Sequence, residues 1–414
     1  MRRNWSDTVD LAGSETRPHS AAEVAELVRS HDPALALGSA HSFSRVAVTS
    51  GLHIETTHLP TDVRIDGTTA TVGAGTTYAT LGRELHARGM ALAAMASLPH
   101  ITVGGAIATG THGSGDAIGT LSSAVTGIEI VTPDGATRWV RRGIDPDFPG
   151  WVVSLGALGI VTRVELEVEP TYDVAQTVFA GLDLDIVERD FDAVFGAATS
   201  VSVFTRWRPE PDAQLWLKRR VDREGVWPGG PAFGVAARET PLHPLEQLDP
   251  VHCNPQLSQP GPWHERLPHF HADFTPSAGD EIQAEYLLPR AHAVEAIRAI
   301  RTLHARVTPL LHVTEIRTMR ADDLWLSPAH GVDTVGIHFT WHRDERIYDV
   351  LPAIEEIVMP LGARPHWGKV SRASAEQVRA AFPRWEDFVT LITAVDPEGR
   401  CRSPFVTRLL GASG

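Results

Sequence analysis

The chain has 414 residues, 43% of them hydrophobic and 21% charged, and a formal net charge of −14. That length suggests two domains of ordinary water-soluble composition, and the acidic balance argues against nucleic acid or an anionic membrane as the main partner. Two cysteines, Cys253 and Cys401, are too few for a disulfide framework. No run approaches the ~20 apolar residues of a membrane span. Met1-Arg2-Arg3 leads into Asn-Trp-Ser-Asp rather than an apolar leader, so a cytoplasmic protein is expected.

Ser20-Ala-Ala-Glu23 is a capping box that predicts a helix to about His31, with Val24, Leu27 and Val28 on one face. A short strand, Ala34 to Leu37, runs into the polar turn Gly38-Ser39-Ala40-His41-Ser42-Phe43. Read alone, His41 is either a surface histidine or a reactive one. Asp66-Gly67 predicts a hairpin between Val63–Ile65 and Thr68–Val72, and Tyr78 to Arg88 reads as a helix stopped by Gly89. From Ala96 to Gly115, thirteen of twenty residues are Gly, Ala, Ser or Thr. So little apolar surface excludes an ordinary core strand or helix. The exposed amides and hydroxyls instead suit a cradle for an anion such as phosphate, or a close-packed set of turns. No Gly-Lys-Ser/Thr follows, which excludes a P-loop, and Gly110-Thr-His-Gly113-Ser-Gly115 has the wrong order for the Rossmann fingerprint.

Thr126–Thr132 and Ala136–Val140 form a second predicted hairpin. The small-residue turn Ser154 to Gly159 feeds a strand from Val161 to Val168, and is a plain turn or a further contact with the same guest. At Glu169-Pro170-Thr171 bulky side chains return, and a domain boundary is expected near residue 171. Val201–Arg206 and Gln214–Lys218 are expected as neighbours in an antiparallel sheet. Residues 222 to 280 hold ten of the 29 prolines and read as a long loop packed across the domain face. Within it Trp263-His264-Glu265-Arg266-Leu-Pro-His269-Phe-His271 is dense in histidine, but its spacing fits no metal motif, and no metal is expected.

In Val313-Thr-Glu315-Ile-Arg317-Thr, alternation puts Glu315 and Arg317 on one strand face; in Ile337-His338-Phe-Thr340-Trp, His338 and Thr340 likewise share one. If both strands belong to one sheet, that face can bind a molecule rich in hydroxyls. The alternative is a structural Glu–Arg pair on a solvated face. After a helix from Ile347 to Val358, the turn Arg364-Pro-His366-Trp-Gly-Lys369 projects a lysine. Ser374-Ala-Glu-Gln377 opens another helix, to about Phe382, and Trp385 to Ala394 follows it.

Together, Gly38-Ser-Ala-His-Ser-Phe43 and Ala108-Thr-Gly-Thr-His-Gly-Ser-Gly115 resemble the flavin domain of the vanillyl-alcohol oxidase (PCMH-type) flavoproteins. Glu315-x-Arg317 with His366-Trp-Gly-Lys369 is similar to their polyol and aldonolactone oxidases. Met95-Ala-Ser-Leu-Pro-His100 and Trp263-His-Glu-Arg-Leu-Pro-His-Phe270 look most like the alditol (xylitol or sorbitol) oxidases. The resemblance implies a two-domain α+β fold: an FAD domain of residues 1–171 completed by about 365–414, and an antiparallel-sheet cap over 172–364 that holds substrate. It implies FAD bonded covalently through its 8α-methyl to His41. Gly38, Ser39, Ala40, Ser42, Ser97, Thr102, Gly105, Thr109, Gly110, Thr111, His112, Val161 and His366 would also contact the flavin. Ala40 stands where glycine is usual, and alanine is tolerable there only if its φ is negative.

The same resemblance implies oxidation of a terminal polyol hydroxyl to an aldehyde, with hydride passing to flavin N5 and O2 reduced to H2O2. Ser97, Glu315 and Thr340 would grip hydroxyls. Arg317 and Lys369 would stabilise charge on the substrate oxygen, and Lys369 or His338 would take the proton. The partners expected are a polyol and O2, and the chain is expected as a monomer. The rival expectations are an aldonolactone oxidase or dehydrogenase and a non-catalytic nucleotide- or sugar-binding protein. Asp396-Pro-Glu-Gly399-Arg-Cys401-Arg-Ser403-Pro-Phe405 keeps the family's C-terminal frame but replaces a Phe by Cys401 and an Asn by Ser403. That change puts the family's C-terminal flavin contacts in question.

Overall fold

The computed structural model describes residues 2–245, 247–274 and 280–411. Near the N-terminus, Ser20 Oγ accepts the Glu23 amide and the Glu23 carboxylate accepts the amide of His19, which starts the helix Ala21–Ser30. Val24 and Val28 turn inward against Ala34, Leu52 and Ile54. The helix joins two strands, Ala12–Thr16 and Ala34–Leu37, that flank Thr49–Glu55 in parallel, as a crossover requires. A five-stranded antiparallel sheet follows in the order Arg64–Asp66, Thr69–Gly73, Ile160–Glu167, Val125–Val131, Thr137–Arg141.

The glycine-rich stretch departs from expectation: it contains a six-residue helix, Val103–Ala108. Small residues did not prevent a helix because Val103, Ala106 and Ile107 are buried, while glycine lets the other side come close. A Cβ on Gly104 would sit 3.0 Å from the Ala74 Cβ and 3.2 Å from its carbonyl oxygen.

From Asp173 the chain builds an eight-stranded sheet. Its order is Pro260–Pro262, Asp173–Leu182, Ala213–Arg220, Ser200–Thr205, Leu311–Met319, Thr334–His342, Glu281–Pro289, Arg364–Pro365. One face carries Val201, Val203, Ile316, Ile337, Phe339 and Tyr286 into a core closed by the helices Ala293–Arg301 and Ile347–Val358. The other face is polar in its middle. The proline-rich stretch is not structureless: it supplies the edge strand Pro260–Pro262, where missing N–H groups cost no ladder bond, and the turn of helix Trp263–Arg266.

The last 45 or so residues return to the first region. Trp367, Val378, Phe382, Trp385, Phe388 and Ile392 share a core cluster with residues from Val46 to Val174. Asp396 accepts the amides of Arg400 and Cys401, Ser403 caps the helix Pro404–Leu410, and Cys401 is buried beside Val24. These departures from the family frame therefore serve packing. Cys253 and Cys401 are both free and buried, and no helix among the described residues is long and apolar enough to cross a membrane.

Candidate active site

Between the first region and the polar face of the eight-stranded sheet lies a cavity of about 330 Å³. Its floor is made of backbone. Among the described residues, none of the N–H groups of residues 38–42 meets an acceptor. Amides left free in a glycine-bearing turn form an anion cradle. Gly38 lies so close to Thr102 that a Cβ would fall 2.1 Å from its Oγ1, and that hydroxyl has no partner. The loop is pinned from both sides. Phe43 N–H donates to the Gly368 carbonyl at 2.7 Å, Ser44 Oγ donates to the Trp367 carbonyl at 2.6 Å, and Asn4 Nδ2 donates to the Ser42 carbonyl at 2.9 Å.

Ala40 does not meet the condition of a negative φ: its φ is +56°, in the left-handed region. The strain, about 1 kcal/mol for a non-glycine residue, is held by the Trp5 amide, which donates to the Ala40 carbonyl at 2.8 Å. His41 projects into the cavity, stacked on Trp5 at 4.8 Å and facing His100 at 4.4 Å. Burial, then the nearby His100 and Lys369, hold its pKa well below that of free imidazole, so it is neutral.

Side chains make the opposite wall. Glu315 lies directly across from His338 in the register of paired strands, so Glu315, Arg317, His338 and Thr340 share one face, and Ile316 faces the core. The neighbouring strand adds Glu281, Gln283 and Glu285 to that face. Arg317 Nη2 donates to Glu285 Oε1 at 2.7 Å, and its Nη1 reaches Ser97 Oγ at 3.4 Å. His338 Nδ1 lies 3.1 Å from Glu285 Oε2 and Nε2 lies 3.2 Å from Thr340 Oγ1. A carboxylate only accepts, so Nδ1 carries the proton, and Nε2 is free to accept from the Thr340 hydroxyl. Lys369 Nζ donates to Gln283 Oε1 and sits 5.0 Å over the Phe43 ring, which ties this wall to the cradle.

The charges set one another. Burial alone would raise the Glu285 carboxyl, but Arg317, then His112 and His338, pull it well below the usual range. Burial likewise works against Glu315, where Arg317 and His269 prevail and keep it ionised. Burial lowers His338, against the pull of Glu285. Burial brings Lys369 down to about 8, with Glu285 and Glu281 opposing and Arg317 assisting. Ligand atoms of His112, Glu285 and His366 lie within 4.8 Å of one another, a spacing that suits a cation. Arg317 already supplies that positive charge to Glu285.

Gly38, Ser39, Ala40, His41, Ser42, Ser97, Thr102, Gly105, Thr109, Thr111, His112, Val161 and His366 all line the cavity, as do Glu315, Arg317, His338, Thr340 and Lys369. Gly110 does not. Its φ is +67°, and a Cβ there would meet Pro328 Cδ at 2.6 Å, so it serves a turn against that proline. Glu285, Gln283, Glu281, Phe204 and Trp5 also line the cavity and were not singled out in the sequence; His269, noticed there only as part of a histidine-dense motif, lines it too.

Residues 15–141 match the family described as FAD binding domain, and residues 280–409 the family described as D-arabinono-1,4-lactone oxidase. The alditol oxidase of a Streptomyces species is 44% identical over 98% of this chain and 98% of its own. The chain belongs to the alditol oxidase family of FAD flavoproteins. The L-gulono-1,4-lactone dehydrogenase of Mycobacterium tuberculosis is a more distant relative, 28% identical over 99% of this chain and 98% of its own. The crystal structure of cholesterol oxidase from Brevibacterium sterolicum superposes with a TM-score of 0.80 over 99% of this chain and 96% of its own. At 15% identity that likeness concerns the fold, the two-domain α+β fold of PCMH-type flavoproteins. The flavoprotein's cavity suits FAD on its own terms: unpaired amides and an orphan Thr102 hydroxyl await a diphosphate, and the approach of Gly38 to Thr102 leaves no side chain in the way.

Proposed function

We propose that this flavoprotein oxidises the terminal hydroxyl of an acyclic polyol, such as xylitol or sorbitol, to the aldehyde, with O2 reduced to H2O2. The observation that carries the reading is one wall on which a carboxylate, a guanidinium, a hydroxyl and an ammonium converge beside an amide cradle. A relative named alditol oxidase at 44% identity supports it. Residues 1–171 with about 365–414 would form the FAD domain and 172–364 the cap. Bound FAD would supply the two-electron acceptor that this oxidation and the reduction of O2 need.

Ser97, Glu315 and Thr340 hold the hydroxyls. Thr340 Oγ1, hydrogen-bonded to His338 Nε2, gives the substrate proton a path to a neutral imidazole whose other nitrogen is anchored on Glu285. The imidazolium so formed is stabilised by Glu285, as a base needs. Lys369 and Arg317 offset the negative charge that develops on the substrate oxygen. His41, neutral, has a ring nitrogen available for a covalent bond to the flavin 8α-methyl. Two buried free thiols agree with a cytoplasmic setting, and a monomer suffices because every group named comes from one chain.

The reading is tested by the visible spectrum of the purified protein before and after anaerobic addition of sorbitol. Flavin bands that bleach, and return with air and one equivalent of H2O2, are expected. The match of residues 280–409 to a D-arabinono-1,4-lactone oxidase family supports a second reading, a lactone oxidase or dehydrogenase. Bands that persist with sorbitol and bleach with gulonolactone would establish it.

A further inference from the structure

Two buried groups next to the active site have no part in the chemistry above. Lys218, on the strand Ala213–Arg220, is 2% exposed, and His269, in the proline-rich stretch, is 5% exposed. Burying an ammonium is costly unless its donors are matched. Here all three are. Lys218 Nζ donates to the Leu267 carbonyl, to the Pro268 carbonyl at 3.1 Å and to His269 Nδ1 at 3.1 Å. Because Nδ1 accepts, the imidazole proton is on Nε2, which donates to Glu315 Oε1 at 2.8 Å. The chain of donors runs one way, from lysine through imidazole to carboxylate.

His269 is held in every direction. Its amide donates to the Ser97 carbonyl at 3.2 Å, and its carbonyl accepts the Asn254 amide at 2.9 Å. The rings of Phe204 and Trp216 meet it edge-on at 5.3 and 5.4 Å. One residue therefore touches the backbone of Ser97, from the glycine-rich stretch, and the carboxylate of Glu315, from the sheet. With Oε1 occupied, Glu315 Oε2, 3.6 Å from Arg317 Nε, is the oxygen left for a ligand.

We infer that His269, oriented by Lys218, is a positioning residue that fixes Ser97 and Glu315 at one separation and so sets which spacing of substrate hydroxyls the site accepts. This rests on the reading that Ser97 and Glu315 grip a polyol. Burial brings the His269 pKa down to about 4, so the imidazole stays neutral and passes on orientation without adding a second cation beside Arg317.

The test compares xylitol with 1,2-propanediol, which lacks the distal hydroxyls, in steady-state assays of the holoenzyme. His269→Phe is expected to raise KM for xylitol ~10- to 100-fold, as loss of a hydrogen bond to a buried charge does, with kcat falling less and KM for the diol changing less than ~3-fold. His269→Gln, whose amide both accepts from Lys218 and donates to Glu315, is expected to recover most of the loss, and the shorter His269→Asn not to. A merely structural histidine would shift both substrates alike and gain nothing from glutamine, which overturns the proposal. If His269→Phe does not fold, the glutamine and asparagine pair decides in the same way. If Glu315→Gln leaves KM for xylitol unchanged, the polyol reading fails. If Glu315→Gln raises it and His269→Phe does not, the positioning role alone fails.

Discussion

The two walls of the cavity are built on opposite principles. The cradle of residues 38–42 offers backbone N–H groups with side chains kept away; the sheet face offers charged side chains that pair with one another. A backbone site tolerates changes of residue so long as the path of the chain is kept. A side-chain site loses its function with a single head group, because each charge is poised by its neighbours. The difference can be broken or sharpened by substitution.

The largest effect is expected on the sheet wall. Lys369→Met should slow flavin reduction by ~100-fold or more in stopped-flow measurements, the scale for removing a group that faces developing charge; a rate within a few-fold of the parent would take Lys369 out of the mechanism. The pH profile separates its two possible forms. Held at about 8, Lys369 is a cation below that pH. If it acts as one, the rate falls ~10-fold per unit above pH 8, and the limb disappears in Lys369→Met. A rate that rises through pH 8 would instead make Lys369 the base. On the acid side the rate should fall as His338 takes a proton, below the ordinary imidazole range because burial lowers it.

The cradle should respond more gently. His41→Ala is expected to release the yellow colour on acid precipitation while slowing reduction by no more than ~10-fold, since a linkage at the proposed His41 position would tune the cofactor and not perform the chemistry. Colour that stays in the pellet would move the attachment elsewhere. Ala40→Gly should be the smallest and opposite in sign: it relieves the +56° strain and raises stability by about 1 kcal/mol in thermal denaturation.

The same contrast explains what was legible in the sequence. A backbone site leaves a local signature, so Gly38–Ser42 and the Thr102–His112 stretch stood out as small residues in a row. Glu315, Arg317, His338 and Thr340 were found because strand alternation is local too. Glu285 was not, although Glu281, Gln283 and Glu285 alternate with Ile282, Ala284 and Tyr286. That strand begins where the proline-rich stretch ends, and its partners are fixed by register with residues 334–342. His269 lay within a noticed motif, yet its meaning depends on Glu315, 46 residues away, and on Lys218 across the sheet. No spacing encodes such a meeting. Ala40 shows the remaining limit: residue type gives the cost of a left-handed backbone, and only the fold gives its φ.

The pinning of the histidine loop also sets an order of events during synthesis. The loop of residues 38–44 is held by the carbonyls of Trp367 and Gly368, and the core that supports it takes in Trp385, Phe388 and Ile392. A ribosome making ~5–20 residues per second needs on the order of tens of seconds to reach them after Val174 has emerged. Throughout that interval the cradle lacks the support that those carbonyls give it. The far support of the cradle is therefore among the last parts of the fold to be made, although the motifs it supports are among the first.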